Sequence, residues 1–293
     1  MNPLVTIILL NYNGIEDTME CLDSLCDVTY DNYNIIIIDN GSENNETRKI
    51  QEAYPAANVI ANDKNLGFTG GNNIGMRLAI ENGADFVLLL NNDTLVDKKF
   101  LSEMIDVAEK YPKAGIFTPK IYNYGTNIIQ SIGQHFYSSW GFTKHRFGRR
   151  LDTGAYDTIA TCNFITGTAM LIRKSVIEKI GVLDENYFFY NEDVDYSINA
   201  IRNGYDLLCV PKSKVWHKTT RSVTTLTKMY FKLRNMIYLM RKFNLTSFTF
   251  LIGFVLFYVI VDLGKNIKTP IKGLQTIVKA IKDGNTMAKK AGY

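Results

Sequence analysis

The chain has 293 residues, 46% hydrophobic and 21% charged, which excludes an intrinsically disordered protein and allows one large domain or a domain with an appendage. Its net charge of +4 hides an asymmetry: residues 1–211 carry 17 Lys and Arg against 27 Asp and Glu, whereas residues 212–293 carry 16 against 2. An acidic body with a basic tail points to a tail that meets an anionic surface, membrane or nucleic acid.

Leu4–Leu10 is an apolar, partly β-branched strand ending in the turn composition Asn11-Tyr12-Asn13-Gly14. It has neither a basic n-region nor a cleavage site, so no secretory signal is expected. A helix over Ile15–Leu25 leads to a second strand, Ile35–Ile38, which ends in Asp39-Asn40-Gly41-Ser42. Cys21, Cys26, Cys162 and Cys209 form no CxxC pair and adjoin hydrophobic runs, so buried reduced thiols and a cytosolic setting are expected. Val59-Ile60 is a third, short strand, followed by the glycine-rich Asn65–Gly75 and a helix to about Asn82. Such turns can receive phosphate on backbone N–H groups, but this one fits neither the dinucleotide nor the Walker fingerprint, and a tight turn with positive φ explains it equally well.

Phe86–Thr94, FVLLLNNDT, is the pivot. Five apolar residues too short for a helix read as a strand buried on both faces, and they deliver Asn91, Asn92 and Asp93 to its C-terminal edge. Ligands of open α/β sheets bind there, and a carboxylate so placed can hold a divalent cation against nucleotide phosphates. A strand closed by a polar turn is the plainer reading. Strands alternating with helices predict a mostly parallel sheet.

A helix over Lys98–Lys110 and a strand at Gly115–Thr118 come next. Residues 123–160, with His135, Trp140, His145, Arg146, Arg149 and Arg150, show little periodicity and read as a functional loop or lid. Thr161–Arg173 is apolar with a bend at Gly167, and Lys174–Ile180 is helical. Tyr187-Phe188-Phe189-Tyr190 then precedes Glu192, Asp193 and Asp195, with a helix over about Tyr196–Asn203. Helix capping accounts for the carboxylates but not for the aromatic wall, which suits a general base beside a sugar site. Leu207–Val210 and Lys214–Trp216 are closing strands, and His217 follows.

Taken in order, NYNG, IIIIDNGS, NLGFTGGNNIG, LLLNNDT, ITGTAMLIRK, FFYNEDVDYSINA and VWHKTTRS make residues 4 to about 222 resemble the family 2 glycosyltransferases, inverting enzymes of the GT-A fold, and most closely their rhamnosyltransferase-like and galactofuranosyltransferase-like branch. The resemblance implies a catalytic domain over 1–222, with a nucleotide-binding part to about 120 and an acceptor part after it. It implies that Asp39 accepts from the nucleobase and that Asn11, Asn13, Asn40, Asn65, Gly67, Gly71, Asn72, Asn91 and Asn92 line the donor site. Asp93 takes the last position of the family's DxD metal motif, with Asn91 where the first Asp would stand, and His217 matches the second ligand to Mg²⁺ or Mn²⁺. Asp193 falls where the family places its catalytic base, and Glu192 beside it is expected to orient the acceptor. The implied donor is dTDP-rhamnose or a UDP-sugar, and the acceptor a glycan or lipid-linked glycan of the cell surface. A nucleotidyltransferase, or a non-catalytic membrane scaffold keeping the fold, is the alternative.

In the tail, Met229–Lys242 is helical, and Leu245–Leu263 is uncharged until Asp262, near the roughly 20 residues that span a bilayer. Basic residues on both flanks disfavour a single crossing and favour an in-plane or re-entrant segment on the cytoplasmic face. A buried or oligomer-forming helix is the alternative. After Pro270, Ile271, Leu274, Ile277, Val278 and Ile281 form an apolar stripe beside Lys268, Lys272, Lys279 and Lys282, the pattern of a helix lying on an anionic membrane. Residues 223–293 are thus expected to be a membrane-associating region, with no nucleic-acid partner.

Overall fold

The computed structural model describes residues 2–137, 142–145, 150–219, 224–245, 253 and 270–293. Strands β1 (Val5–Asn11), β2 (Tyr33–Asp39), β3 (Asn58–Ala61) and β4 (Phe86–Asn91) lie parallel in the order β3-β2-β1-β4. Their continuous apolar runs follow from helices on both faces. Val5, Ile7 and Leu9 of β1 and Phe86, Leu88 and Leu90 of β4 share a core with Cys21, Leu22 and Leu25 of α1 (Ile15–Cys26), Ile50 of α2 (Glu46–Ala53) and Phe100 and Met104 of α4 (Phe100–Lys110). The intervening Ile8, Val87 and Leu89 pack against Met76 and Ala79 of α3 (Gly67–Glu81), with Val176 of α5 (Lys174–Ile180) and Tyr196 of α6 (Glu192–Arg202) beyond. Alternate side chains point to opposite faces, and here both faces are covered.

The other half of the sheet departs from the parallel expectation. β12 (Ala169–Arg173) runs antiparallel between β4 and β6 (Ala114–Asn123). β13 (Asp206–His217) is parallel to β6 but antiparallel to β5 (Thr94–Val96) and β11 (Ala160–Cys162). The sheet is therefore mixed. A strand covered on both faces reads as the same apolar run whichever way it points, so composition carries no sign of the reversal. β13 also fuses the two expected closing strands, with irregular register between Val210 and Lys214.

Two helices begin earlier than their patterns predict. The glycine-rich stretch is mostly α3 itself: a Cβ on Gly75 would sit 2.7 Å from Ile8 Cγ2, and one on Gly71 would collide with Leu10 Cδ1, so these glycines admit the helix onto β1. α6 starts at Glu192, with the three carboxylates in its first turn. Of the cysteines, Cys21, Cys162 and Cys209 are buried as expected, while Cys26 is exposed.

Residues 123–160 hold β7 (Ile128–Ser131), β8 (Gln134–Tyr137), β9 (Phe142–His145) and β10 (Arg150–Leu151); Trp140, Arg146 and Arg149 lie outside the described residues. Lys120, wholly buried, ties this segment down through Asp152 at 2.8 Å and Asp157 at 2.5 Å.

The tail is folded onto the body. α7 (Thr225–Phe243) and α8 (Pro270–Lys290) share a core with Phe164, Tyr187 and Val194, to which α7 gives Met229, Leu233 and Ile237 and α8 gives Ile277, Ala280 and Ala288. The expected apolar stripe is thus divided: Ile277 is 5% exposed against α7, whereas Leu274 and Val278 are each 60% exposed. Apart from Leu245 and Gly253, the run 245–263 lies outside the described residues, among which no helix is long and apolar enough to cross a membrane. α7 is locked by Lys242, whose Nζ lies 2.7 Å from Asp184 and 2.9 Å from Asp195. Tyr238 donates to Asp184 and Tyr187 to Asp195. Burial pushes Asp195 up to about 6 even against the pull of Lys242.

Lys242→Met should therefore strand two carboxylates and destabilise the protein by about 3 kcal/mol or more at pH 7. Removing the cation raises the folded-state pKa of Asp195 further, so protonation relieves the penalty and the loss should shrink between pH 7 and pH 5, as read by urea denaturation at the two pH values.

Candidate active site

The order β3-β2-β1-β4 places a switch point between β1 and β4: one connection leaves β1 through α1 on one face, and another arrives at β4 through α3 on the other. The C-terminal ends meet in register, Asn11 beside Asp39 and Leu10 beside Asn91. A crevice forms at such a point.

The donor-side residues expected there come together, but most of their polar atoms hold the fold. Asn11 donates to Asp39 Oδ1 (3.2 Å), Ser42 Oγ (3.1 Å) and Glu46 Oε2 (2.9 Å), and accepts from Thr18. Asp39, 3% exposed, accepts from Asn11 and the Ser42 N–H on one oxygen and from Thr47 on the other, leaving about one of its roughly four lone-pair directions for a base. Asn13 takes a left-handed φ of 50° and its Oδ1 accepts from the Glu43 N–H. Asn40 is fully engaged: it donates to Asn65 Oδ1 and the Gly67 carbonyl, and accepts from Asn62 and the Leu66 N–H. Asn72 is buried and donates to the Phe68 carbonyl. Asn92 donates to Thr18 Oγ1 at 2.8 Å, so Thr18 links the ends of β1 and β4. Asn91 is half-buried, and its carbonyl accepts from Thr94.

The pairing of β5 with β13 sets His217 opposite Thr94, and hence beside Asp93. His217 Nε2 lies 3.1 Å from Asp93 Oδ1, with side chains 12% and 14% exposed. Nδ1 lies 2.9 Å from Gln130 Oε1. With that oxygen as acceptor, the imidazole carries its proton on Nδ1 and turns the Nε2 lone pair toward a carboxylate oxygen, an arrangement that calls for a proton or a cation between them. The donor set therefore fits a divalent ion that takes its remaining oxygens from substrate phosphate and water. Among the described residues no group of three or more His, Cys, Asp or Glu is placed to hold a metal. The next residue, Lys218, is anchored to Asp17 and Glu20 of α1, both at 2.9 Å.

The residues expected on the acceptor side are set by the turn before α6. Asp193 Oδ2 accepts from the Gly167 N–H at 3.1 Å and Oδ1 from the Val194 N–H at 2.9 Å. Burial pushes Asp193 up to about 6 against those donors. Glu192 is only 5% exposed and its Oε2 finds no partner among the described residues. Burial, reinforced by the charge on Asp193, holds Glu192 well above the usual carboxylate range. Glu192, expected to orient the acceptor, is buried at the first position of α6. The aromatic wall divides too. Tyr187 is in the core, whereas Phe188, 38% exposed, stacks on Phe231 of α7 at 5.6 Å and gives its carbonyl to the Phe68 N–H. Gly67, with φ 76°, makes that approach possible, since a Cβ would strike the Phe188 carbonyl.

Three contributors were not foreseen. Gln130 orients His217 from a stretch without periodicity, and Lys232 and Asn235 reach the turn from α7. Lys232 Nζ lies 4.9 Å from the Tyr190 ring centre, and its ammonium is destabilised by burial and by Lys228 but favoured by the charge on Asp193.

Residues 6–181 match the model of glycosyl transferase family 2, and the chain belongs to that family. Among curated proteins it is 23% identical over 244 residues to the N-acetylglucosaminyl-diphospho-decaprenol L-rhamnosyltransferase of Mycobacterium tuberculosis, covering 76% of this chain and 78% of that one. It is 19% identical to the dTDP-rhamnosyl transferase RfbF of Shigella flexneri, covering 83% and 81%. Among solved structures, GalNAc-T7 with UDP, GalNAc and Mn²⁺ superposes with a TM-score of 0.66 at 17% identity, over 81% of this chain. The chain spans 47% of that protein's length. The expected GT-A architecture is thus the one observed.

Proposed function

We propose that this chain transfers a sugar, with inversion, from dTDP-rhamnose or a UDP-sugar to a glycan or lipid-linked acceptor in cell-surface glycan synthesis. The observation that carries the reading is a hydrogen-bond path joining the two halves of the site. Asp193 accepts from the Gly167 N–H, and the next residue, Thr168, gives its carbonyl to the N–H of Asn91, two residues before Asp93. The ionised carboxylate and the Asp93–His217 pair are thereby set on one rigid frame. The rhamnosyl transfer named for the relatives in M. tuberculosis and S. flexneri supports the donor reading, and the former's diphospho-decaprenol substrate supports a lipid-linked acceptor.

In this scheme Asp193 takes the proton of the acceptor hydroxyl, whose oxygen attacks the anomeric carbon as the bond to the nucleoside diphosphate breaks. Single displacement with one base and no enzymic nucleophile inverts the centre. Asp93 and His217 would hold Mg²⁺ or Mn²⁺, which, when bound, offsets the charge developing on the leaving diphosphate. Gln130 keeps the imidazole turned to that task.

The outer face of α8 supports attachment to an anionic membrane on the cytoplasmic side. It exposes Lys272, Lys279, Lys282, Lys289 and Lys290 around Leu274 and Val278, and the helix's one acid, Asp283, accepts from Tyr230.

Three outcomes are expected. Asp193→Asn should keep donor binding and lose transfer by at least about 10²-fold, and the wild-type rate should fall as pH drops through about 6, because the base must be ionised; near wild-type turnover in the variant would sink the assignment. Asp93→Ala and His217→Ala should both weaken metal-dependent nucleotide binding in calorimetry, the former more severely, with excess Mn²⁺ partly rescuing the latter, since Mn²⁺ tolerates imidazole better than Mg²⁺ does. Lys279→Gln/Lys282→Gln should reduce flotation with anionic vesicles at low salt, as raised salt should for the wild type; a wild-type protein that never floats would remove the membrane from the proposal.

A further inference from the structure

α7 lies beyond the span matched by the family model, yet it grips the turn that delivers the candidate base. Asn235 is fully buried in the middle of that helix. Its side-chain amide donates to the Phe189 carbonyl at 2.9 Å and to the Tyr190 carbonyl at 2.6 Å, while its Oδ1 accepts from Arg234 Nε at 2.8 Å. Both N–H donors are thus spent on two consecutive carbonyls of one short segment.

That segment needs holding. Tyr190 and Asn191 have φ of 73° and 72°, two successive non-glycine residues in the left-handed region. Such a conformation persists only where its surroundings over-determine it. Asn235 fixes the carbonyls on the near side of the bend, and Asn191 Nδ2 lies 3.9 Å from Met236 Sδ on the same helix. On the far side the Asn191 carbonyl accepts the first helical bond of α6, from the Asp195 N–H at 2.9 Å. The direction in which α6 leaves the bend determines where Asp193, in its first turn, can reach, and at present it reaches the Gly167 N–H.

We infer that Asn235 is a positioning residue for sugar transfer, acting through the backbone of Phe189 and Tyr190 to keep Asp193 aligned with the acceptor hydroxyl. The inference rests on the reading of Asp193 as the base. Asn235 touches no reacting atom, so its loss should leave the donor side untouched and act on turnover alone.

The test uses the full chain with Asn235→Ala and the near-isosteric Asn235→Asp, which removes both donors without changing the shape. Transfer kinetics are measured across pH, with nucleoside-diphosphate binding followed separately by calorimetry in the presence of Mn²⁺. Turnover should fall by about tenfold or more, the scale on which small misplacement of a catalytic group acts. Nucleotide affinity should stay within about twofold, and the acidic limb of the rate should move to higher pH as Asp193 loses its Gly167 donor. Adding Tyr190→Gly, which abolishes the cost of the left-handed φ, should restore part of the turnover lost in Asn235→Ala. Turnover within about twofold of wild type in either folded variant overturns the inference. So does a loss of turnover matched by an equal loss of nucleotide affinity with an unmoved pH profile, which would mark Asn235 as a support of the whole fold. If Asn235→Ala does not fold, Asn235→Asp decides by the same measures. A wild-type chain that binds nucleotide but neither hydrolyses nor transfers any sugar would overturn the proposed function instead. In that case, hydrogen exchange over 186–193 that stays as slow in Asn235→Asp as in the wild type refutes the clamp on its own.

Discussion

The site depends on burial of β1 and β4 from both faces at once. The helices cover both faces because the connection from β1 to β2 passes over one of them through α1 and the return from β3 to β4 passes over the other through α3, and the reversal opens the crevice at the ends of β1 and β4. It also explains why the polar residues begin abruptly. Asn11 and Asn91 stand at the point where the covering helices end, and their side chains and backbone immediately become parts of hydrogen-bond networks.

Within that frame, electrostatics divides the acidic residues by task. Asp93 is set beside an imidazole by strand pairing, at the C-terminal edge of β4. Asp193 is given two backbone donors against a burial that pushes it up to about 6, while adjacent Glu192, whose Oε2 finds no partner among the described residues, is held well above the usual carboxylate range by burial and by the charge on Asp193. Asp195, one helical step further on, is neutralised by Lys242 and serves the packing of α7. Three carboxylates within four positions thus have three fates, each decided by what the surrounding elements offer.

This division marks the limit of what the sequence could yield. Strand β4 and its polar triplet were legible because burial on both faces leaves a run of apolar residues that little else produces. The link between Asp93 and His217 came through family resemblance, and the register of β5 against β13 supplies its physical cause. The reversal of β12 was not legible, since an apolar strand looks alike in both directions. Nor was the start of α3 inside the glycine stretch, because glycines that admit a helix onto a strand resemble glycines that make a loop. The amides of Asn40 and Asn72, expected to line the donor site, are spent on the chain itself. The role of α7 was hidden for a different reason: its inward residues Lys232 and Asn235 sit in a helix of mixed apolar and basic character, in which a lysine or an asparagine gives no sign of which surface it meets.

The anchor at Lys120 bears on how the protein would fail in acid. Burial works against its charge, but Asp152 and Asp157 outweigh that and raise its pKa, while the ammonium and the Tyr122 hydroxyl, against the opposing effect of burial, hold Asp152 down to about 2. The Lys120–Asp152 pair therefore stays charged across the whole range in which Asp193 takes up its proton. If Asp193 is the base as proposed, mild acid would silence the chemistry while the Lys120–Asp152 anchor beyond β6 stays fastened, so that loss of activity would precede loss of this part of the structure.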